Sequence, residues 1–469
     1  MDGREIKKAS LYYLVGNLFN KGMAFLTIPV FTRILSTSDY GIVNTYNSWI
    51  AILSMIIGFA LHMAIRAAFV DYRDRIDDFM SVTVTFVLYS GGLFALLVLV
   101  GIYCSRINIA LTLALLCLLQ GIASALIQDY SMYLMMLYQY KRRTAFMILP
   151  NLISVILSIL VIRYVVKENA YMGRIVPTAL VTIVFGIIVC ILVYKKSRML
   201  FSGEYIRYGM AISAPLILHG IALNILSQSD RSMITWLADS AQTGIYSLIH
   251  NLGMIATVLT TSLEGIWVPW FMEKMKQRDL KAINTVAKDY VELMTCAMIS
   301  VILVGPEIVK ILAPETYKEG ISIIPLIVLS NYFIFLYTLY VNIEHYYKRT
   351  KYISFNTIIA AATNIVLNYL LIPVYGYKGA AVTTVISYIL AFVMHSHYSQ
   401  KLEKTLYPLR SFVLPLAKIL AGTIVFYIFI NNIPARWIYC VLNLVITLYC
   451  KREVIREYAG TGKKGGSEL

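Results

Sequence analysis

Residues 173–198 read GRIVPTALVTIVFGIIVCILVYKKSR. A single arginine, Arg174, opens the stretch, a mostly apolar run follows to Tyr194, and Lys195, Lys196 and Arg198 close it. A helix of about 20 mostly apolar residues crosses the hydrocarbon core of a bilayer. Basic residues gathered at one end mark the cytoplasmic side. The same pattern recurs along the chain and decides its class.

Fourteen candidate spans follow: 9–33, 41–64, 80–103, 108–138, 145–166, 173–194, 206–231, 241–264, 286–311, 320–343, 352–373, 379–400, 411–430 and 434–450. The last is the shortest. Across 469 residues only 14% are charged, against about 25% in soluble domains. Mean hydropathy is +0.71. The expected fold is all-α: a polytopic membrane protein of about fourteen transmembrane helices. The connections are short; the longest, about 265–285, is expected to form an amphipathic surface helix. The start Met1 to Lys8 runs straight into the first span, so no cleavable leader is read there.

The net charge of +16 is explained by placement. With the N-terminus inside, basic clusters fall on the inner side at Arg4/Lys7/Lys8, Lys141/Arg142/Arg143, Lys195/Lys196/Arg198, Lys348/Arg349/Lys351 and Lys451/Arg452. Outer segments hold isolated residues such as Arg33, Arg106, Lys167, Arg174, Arg231 and Arg436. This asymmetry puts both termini in the cytoplasm. The basic charge faces membrane lipid, and no nucleic-acid partner is expected. Tyr138, Tyr140, Tyr194, Tyr346, Tyr347 and Tyr398 stack at the inner ends as an interfacial belt. Six cysteines are scattered through apolar stretches with no CxxC pair, so neither a metal site nor a disulfide framework is read.

Self-similarity is weak but collinear. Tyr140-Lys141-Arg142-Arg143-Thr144 matches Tyr347-Lys348-Arg349-Thr350, the stretch Ser36 to Ile42 matches Asp239 to Ile245, and Gly173 matches Gly379, at offsets of about 203 to 207 residues. A duplicated six-span unit accounts for this, with lobes at 1–200 (spans 1–6) and 201–400 (spans 7–12). An extra helix pair at 401–450 and a polar cytoplasmic tail at 451–469 complete the reading. Six is even, so both copies insert the same way up, and parallel repeats place a substrate site between them.

Enzyme signals are missing. Gly460-Thr461-Gly462-Lys463 lacks the phosphate-loop spacing and a preceding strand, and no HExxH or carboxylate pair sits in a large outer loop. No cofactor or metal is expected.

Four motifs in order make the chain resemble the polysaccharide transporter family. These are the O-antigen and capsule repeat-unit flippases, in the superfamily that also holds multidrug and toxin extrusion transporters and lipid II flippases. The motifs are Pro29-Val30-Phe31-Thr32-Arg33-Ile34-Leu35-Ser36 with Asp39-Tyr40-Gly41; Tyr208-Gly209 through Pro215 with Asp230-Arg231 and Gly244-Ile245-Tyr246-Ser247; Leu312-Ala313-Pro314 with Tyr317 and Ile324-Pro325; and Asn364-Ile365-Val366-Leu367-Asn368-Tyr369 with Ile372-Pro373-Val374-Tyr375-Gly376 and Gly379-Ala380-Ala381. The resemblance covers roughly residues 9–400. It implies alternating-access export of an undecaprenyl-pyrophosphate-linked oligosaccharide across the bacterial inner membrane, with the pathway's polymerase or glycosyltransferases as partners. The rivals are a multidrug antiporter of the same fold, or a membrane polymerase or ligase of the same pathway. Pro29 and Pro215 are read as interrupting spans 1 and 7, for a kink or for packing.

Charges at membrane depth cost roughly 2.5–3.5 kcal/mol each on insertion scales and tend to face a cavity. Lys21 lies near the middle of span 1, flanked by Asn17 and Asn20. Span 2 offers Asn47, span 7 His219 and Asn224, and span 8 His250 and Asn251. The resemblance implies that these four helices line the substrate cavity; a packing role is the alternative for each histidine. Arg33, Asp39, Asp230 and Arg231 at outer ends, and Arg66 and Glu264 at inner ends, are candidate gate residues. Asp129, deeper in span 4, is a candidate coupling-ion ligand. Asp71, Asp74, Asp77 and Asp78 read as a solvated loop.

Overall fold

Ser36 and Asp39 show how local sequence starts a helix here. The Ser36 hydroxyl accepts the Asp39 N–H at 3.0 Å, and the Asp39 carboxylate accepts the Ser36 N–H at 3.4 Å. This reciprocal box satisfies two N–H groups that the first turn would otherwise leave open. The structure is a computed structural model that describes residues 12, 19, 22–105, 110–166 and 168–452, with backbone alone at 215, 216, 218, 219 and 266.

Among the described residues the chain is helical without strands. The order is α1 (Gly22–Ile34), α2 (Thr37–Ile57), α3 (Leu61–Asp71), α4 (Ile76–Ser105), α5 (Leu111–Met136), α6 (Tyr140–Tyr164), α7 (Ala170–Lys196) and α8 (Gly203–Leu237). Then come α9 (Ser240–Leu252), α10 (Met254–Gln277), α11 (Leu280–Leu312), α12 (Ile324–Tyr346), α13 (Thr350–Tyr375), α14 (Tyr377–Leu402), α15 (Arg410–Ile428) and α16 (Ile433–Cys450). Among the described residues twelve segments are long and apolar enough to cross a membrane, so this is a multi-pass membrane protein. The other two expected spans are α1, shorter in its described part, and α8, a 35-residue helix carrying Glu204, Arg207, Asp230 and Arg231.

Pro29 and Pro215 do not interrupt their spans: α1 and α8 run continuously through both. The breaks fall in spans 2 and 8. There α2 gives way to α3 after Gly58, and α9 to α10 at Gly253. Phe59 and Ala60 take φ of 48° and 52° at the first break, a region that costs non-glycine residues energy. The buried Asp129 carboxylate of α5 lies near the His62 backbone N–H at this new helix start. Nor does the 265–285 connection form a separate surface helix. α10 and α11 extend through it and are parted at Arg278, whose φ is 59°.

The chain packs as two units that divide between Gly244 and Ile245, so α8 packs with the first six spans. In the first unit the acidic segment is solvent-exposed at Asp71 and Asp74, and three of its acids also make specific bonds. Asp71 accepts the Tyr208 hydroxyl at 2.5 Å, Asp77 accepts that of Tyr133, and Asp78 accepts the Ser197 hydroxyl at 2.6 Å. Lys196 joins this network through the Tyr133 oxygen at 2.8 Å. These bonds tie the ends of α3, α4, α5, α7 and α8 at one face. In the second unit the extra pair α15 and α16 packs on α11. Arg436 forms a two-pronged pair with Glu307 at 2.9 and 2.5 Å, and Lys451 reaches Asp289 at 2.6 Å and Glu292 at 2.7 Å.

Candidate functional site: a polar cavity in the first unit

Three helices of the first unit carry polar residues one or two turns apart on a single face. On α5 these are Gln120, Ser124, Gln128 and Ser131; on α6 Arg143, Asn151 and Ser154; on α7 Arg174, Thr178 and Thr182. Spacing of three and four aligns side chains along one helix stripe. The stripes converge, with Thr27 of α1, Asn47 of α2 and His62 of α3, on a cavity of about 690 Å³. That volume falls within the usual range for a ligand site.

Among the described residues, the cations Arg143 and Arg174 reach it. Arg143 donates through Nε to the Ser131 hydroxyl at 3.2 Å. Arg174 donates to the Ser158 hydroxyl at 3.1 Å and lies 4.2 Å above the Phe31 ring, a cation–π contact that fixes the guanidinium plane. At the same wall the Tyr46 hydroxyl donates to Gln120 at 2.8 Å. No carboxylate stands among the described lining residues. The arrangement offers positive charge and hydrogen-bond donors to an anionic, hydroxyl-rich ligand.

Of the residues expected from sequence, Asn47 lines this cavity. Asn17, Asn20 and Lys21 lie outside the described residues, as does the His219 side chain. Asn224 donates to its own helix, at the Gly220 carbonyl. His250 and Asn251 belong to α9 in the second unit, the His250 ring 5.8 Å from Tyr246. Among the expected gates, Arg33 folds back on the Pro29 carbonyl at 2.8 Å. Asp39 is committed to its cap and to the Tyr171 N–H at 3.3 Å. Arg66 is exposed on α3, and Asp230 and Arg231 are buried. Arg231 donates to Gln228 at 2.7 Å, and Glu264 lies near Thr338. Sequence reading placed Arg143 and Arg174 in loops and passed over Gln120, Gln128 and Asn151. The i, i+4 polar stripes on spans 4, 5 and 6 were the signal that could have found them.

Beside this cavity, α2 meets α8 and the first residue of α9 along hydroxyl contacts. Ser38 bonds Ser240 and Thr45 bonds Thr235, each at 2.6 Å, and Ser48 donates to Gln228 at 3.3 Å.

A family model described as polysaccharide biosynthesis protein matches residues 6–275. The chain belongs to that family. Lsg locus putative protein 1 of Haemophilus influenzae is 23% identical over 430 residues, covering 86% of this chain and 100% of that protein. In fold the chain is similar to the lipid II flippase MurJ in an inward closed conformation (TM-score 0.63, 16% identity, 96% of this chain and 99% of that one). It is also similar to an inward-facing multidrug resistance MATE family transporter of the MOP superfamily (TM-score 0.61, 12% identity, 85% and 99%). The structures that share this fold are thus a flippase and a multidrug transporter, and the family assignment places this chain in polysaccharide biosynthesis.

Proposed function

We propose that this protein is a flippase and not an enzyme. It carries undecaprenyl-pyrophosphate-linked oligosaccharide units from the cytoplasmic to the periplasmic leaflet of the bacterial inner membrane, by alternating access. The product feeds O-antigen, capsule or exopolysaccharide synthesis, and the pathway's polymerase or glycosyltransferases are the neighbouring partners. Both termini face the cytoplasm. The observation that carries the reading is the cavity with Arg143 and Arg174 and no acid among its described lining residues. Guanidinium groups suit pyrophosphate and acidic sugars, and the amide and hydroxyl stripes suit sugar hydroxyls. Asn47 contributes to that wall. Lys21, with Asn17 and Asn20, is proposed as a further anion contact on span 1. His219, Asn224, His250 and Asn251 are proposed on spans 7 and 8, with Arg33, Asp39, Arg66, Asp230, Arg231 and Glu264 as gates. The prenyl tail stays in lipid.

The two repeated lobes, 1–200 and 201–400, are part of the same proposal. A cationic lining disfavours export of cationic drugs. Deleting the gene should accumulate complete lipid-linked units on the inner leaflet. Export of single unpolymerised units in the deletion strain would instead identify a polymerase, and an unchanged lipid pool would overturn the reading.

A further inference from the structure

A buried titratable cluster lies inside the second unit. Glu344, in the last turn of α12, is 0% exposed, and His395 of α14 is 1% exposed. The His395 Nδ1 lies 3.0 Å from both Glu344 oxygens. The Ser399 hydroxyl is 3.3 Å from Glu344 Oε1 and the Asn356 amide of α13 is 3.4 Å from His395 Nδ1. The Tyr337 ring stacks on the imidazole at 5.4 Å. Among the described residues no lysine or arginine is ion-paired with Glu344, and His395 Nε2 makes no hydrogen bond.

Charge counting gives this geometry a consequence. A neutral imidazole already donates Nδ1–H to the carboxylate, so the pair then carries one net negative charge in a buried place. A proton added at Nε2 makes an imidazolium and brings the net charge to zero. Burial penalises the charged state far more than the neutral pair. Imidazole is also the side chain that changes charge between about pH 5 and 8.

We infer that Glu344 and His395 form a proton-binding site: loaded, it holds α12 against α14; emptied, it favours their separation. The surrounding groups are consistent with one exchangeable proton. His345 shares α12, and Tyr398 of α14 lies within electrostatic reach of Glu344. Arg349 follows α12 and donates its backbone N–H to the Glu344 carbonyl at 2.8 Å. Glu264 of α10 faces Tyr337, and Tyr332 of α12 bonds Thr295 of α11 at 2.7 Å. The ligand is a proton from water. Its use to drive or time transport rests on the flippase reading; the site itself does not.

The test uses the full chain in lipid nanodiscs with ¹⁵N-labelled histidine, His395→Gln assigning the signal. Its ring nitrogens should pass from imidazolium to neutral between pH 5 and 9, with faster amide exchange in α12 and α14 on deprotonation. Glu344→Gln should weaken proton binding at His395 at least about tenfold, and in cells His395→Gln should flatten the pH response of export. A ring that stays neutral across that range, or that titrates identically in Glu344→Gln without any change in amide exchange, overturns the inference. A deletion strain with an unchanged lipid pool would remove the flippase reading while leaving this spectroscopic result standing.

Discussion

Gly41 and Gly244 face one another where α2 crosses the start of α9. A Cβ on Gly41 would fall 1.8 Å from the Ser240 carbonyl oxygen, and one on Gly244 2.0 Å from that of Thr37. The contact is reciprocal between residues that the sequence repeat pairs, and backbone oxygen, unlike a side-chain tip, cannot step aside. Replacing either glycine with alanine should cost about 1–3 kcal/mol by overpacking. It should also break the Ser38–Ser240 bond. The measurement is thermal unfolding of the purified protein, with Gly203→Ala, where no atom lies within 4 Å of the added carbon, as the silent control.

Arg174→Ala should cut export at least about tenfold, the equivalent of about 1.4 kcal/mol, at unchanged abundance. Arg174→Lys should restore only part, because an ammonium keeps the charge but not the planar stack on Phe31. Arg143→Ala should behave alike. Quantifying surface polysaccharide in the replacement strains decides it, and normal export in both alanine strains would remove the cavity from the transport path.

The Arg436–Glu307 pair anchors α16 on α11, with the arginine side chain 1% and the glutamate 20% exposed. Breaking such a pair from one side typically costs about 3–5 kcal/mol, whereas replacing both partners by apolar groups is near neutral. Arg436→Met should therefore destabilise strongly, and the double change to methionine should recover most of the loss. Equal destabilisation in the single and double variants would show that the ions do not act as a pair.

Asp279 gives a pH signature outside the membrane. The Ala282 N–H and then Lys274 hold its carboxyl below the ordinary value. A depressed carboxyl contributes stability that is complete above its unfolded value, about 3.9, and is lost as pH falls through the folded one. Amide exchange in the first turn of α11 should accelerate over that acidic window. Asp279→Asn should abolish the acid dependence while retaining the cap.

Orientation can be read by cysteine labelling in a background without the exposed Cys104 and Cys450. Arg198→Cys should react only from the cytoplasm and Lys378→Cys only from the periplasm; both positions are exposed. Ser197 and Gly376 are poorer choices. Ser197 is bonded to Asp78, and Gly376 has a φ of 57° that a side chain resists. Labelling of both new cysteines from one side would invert or dissolve the proposed topology.

The polytopic helical class was legible in residues 173–198 and their counterparts, because lipid admits few spanning structures and apolar length is a one-dimensional property. The family followed from local motifs such as Asn364 to Tyr369. Helix starts were equally local, as Ser36 and Asp39 show. What the sequence could not assign was partnership. Arg143 and Arg174 read as loop charges until α5, α6 and α7 were packed together. That the exposed or half-exposed acids Asp71, Asp77 and Asp78 bond Tyr208, Tyr133 and Ser197 was not legible either. The helix breaks fell at Gly58 and Gly253 and not at the prolines. Apolar periodicity records which segments enter the membrane; which polar groups share a cavity depends on helix rotation and packing, and the tertiary structure alone determines those.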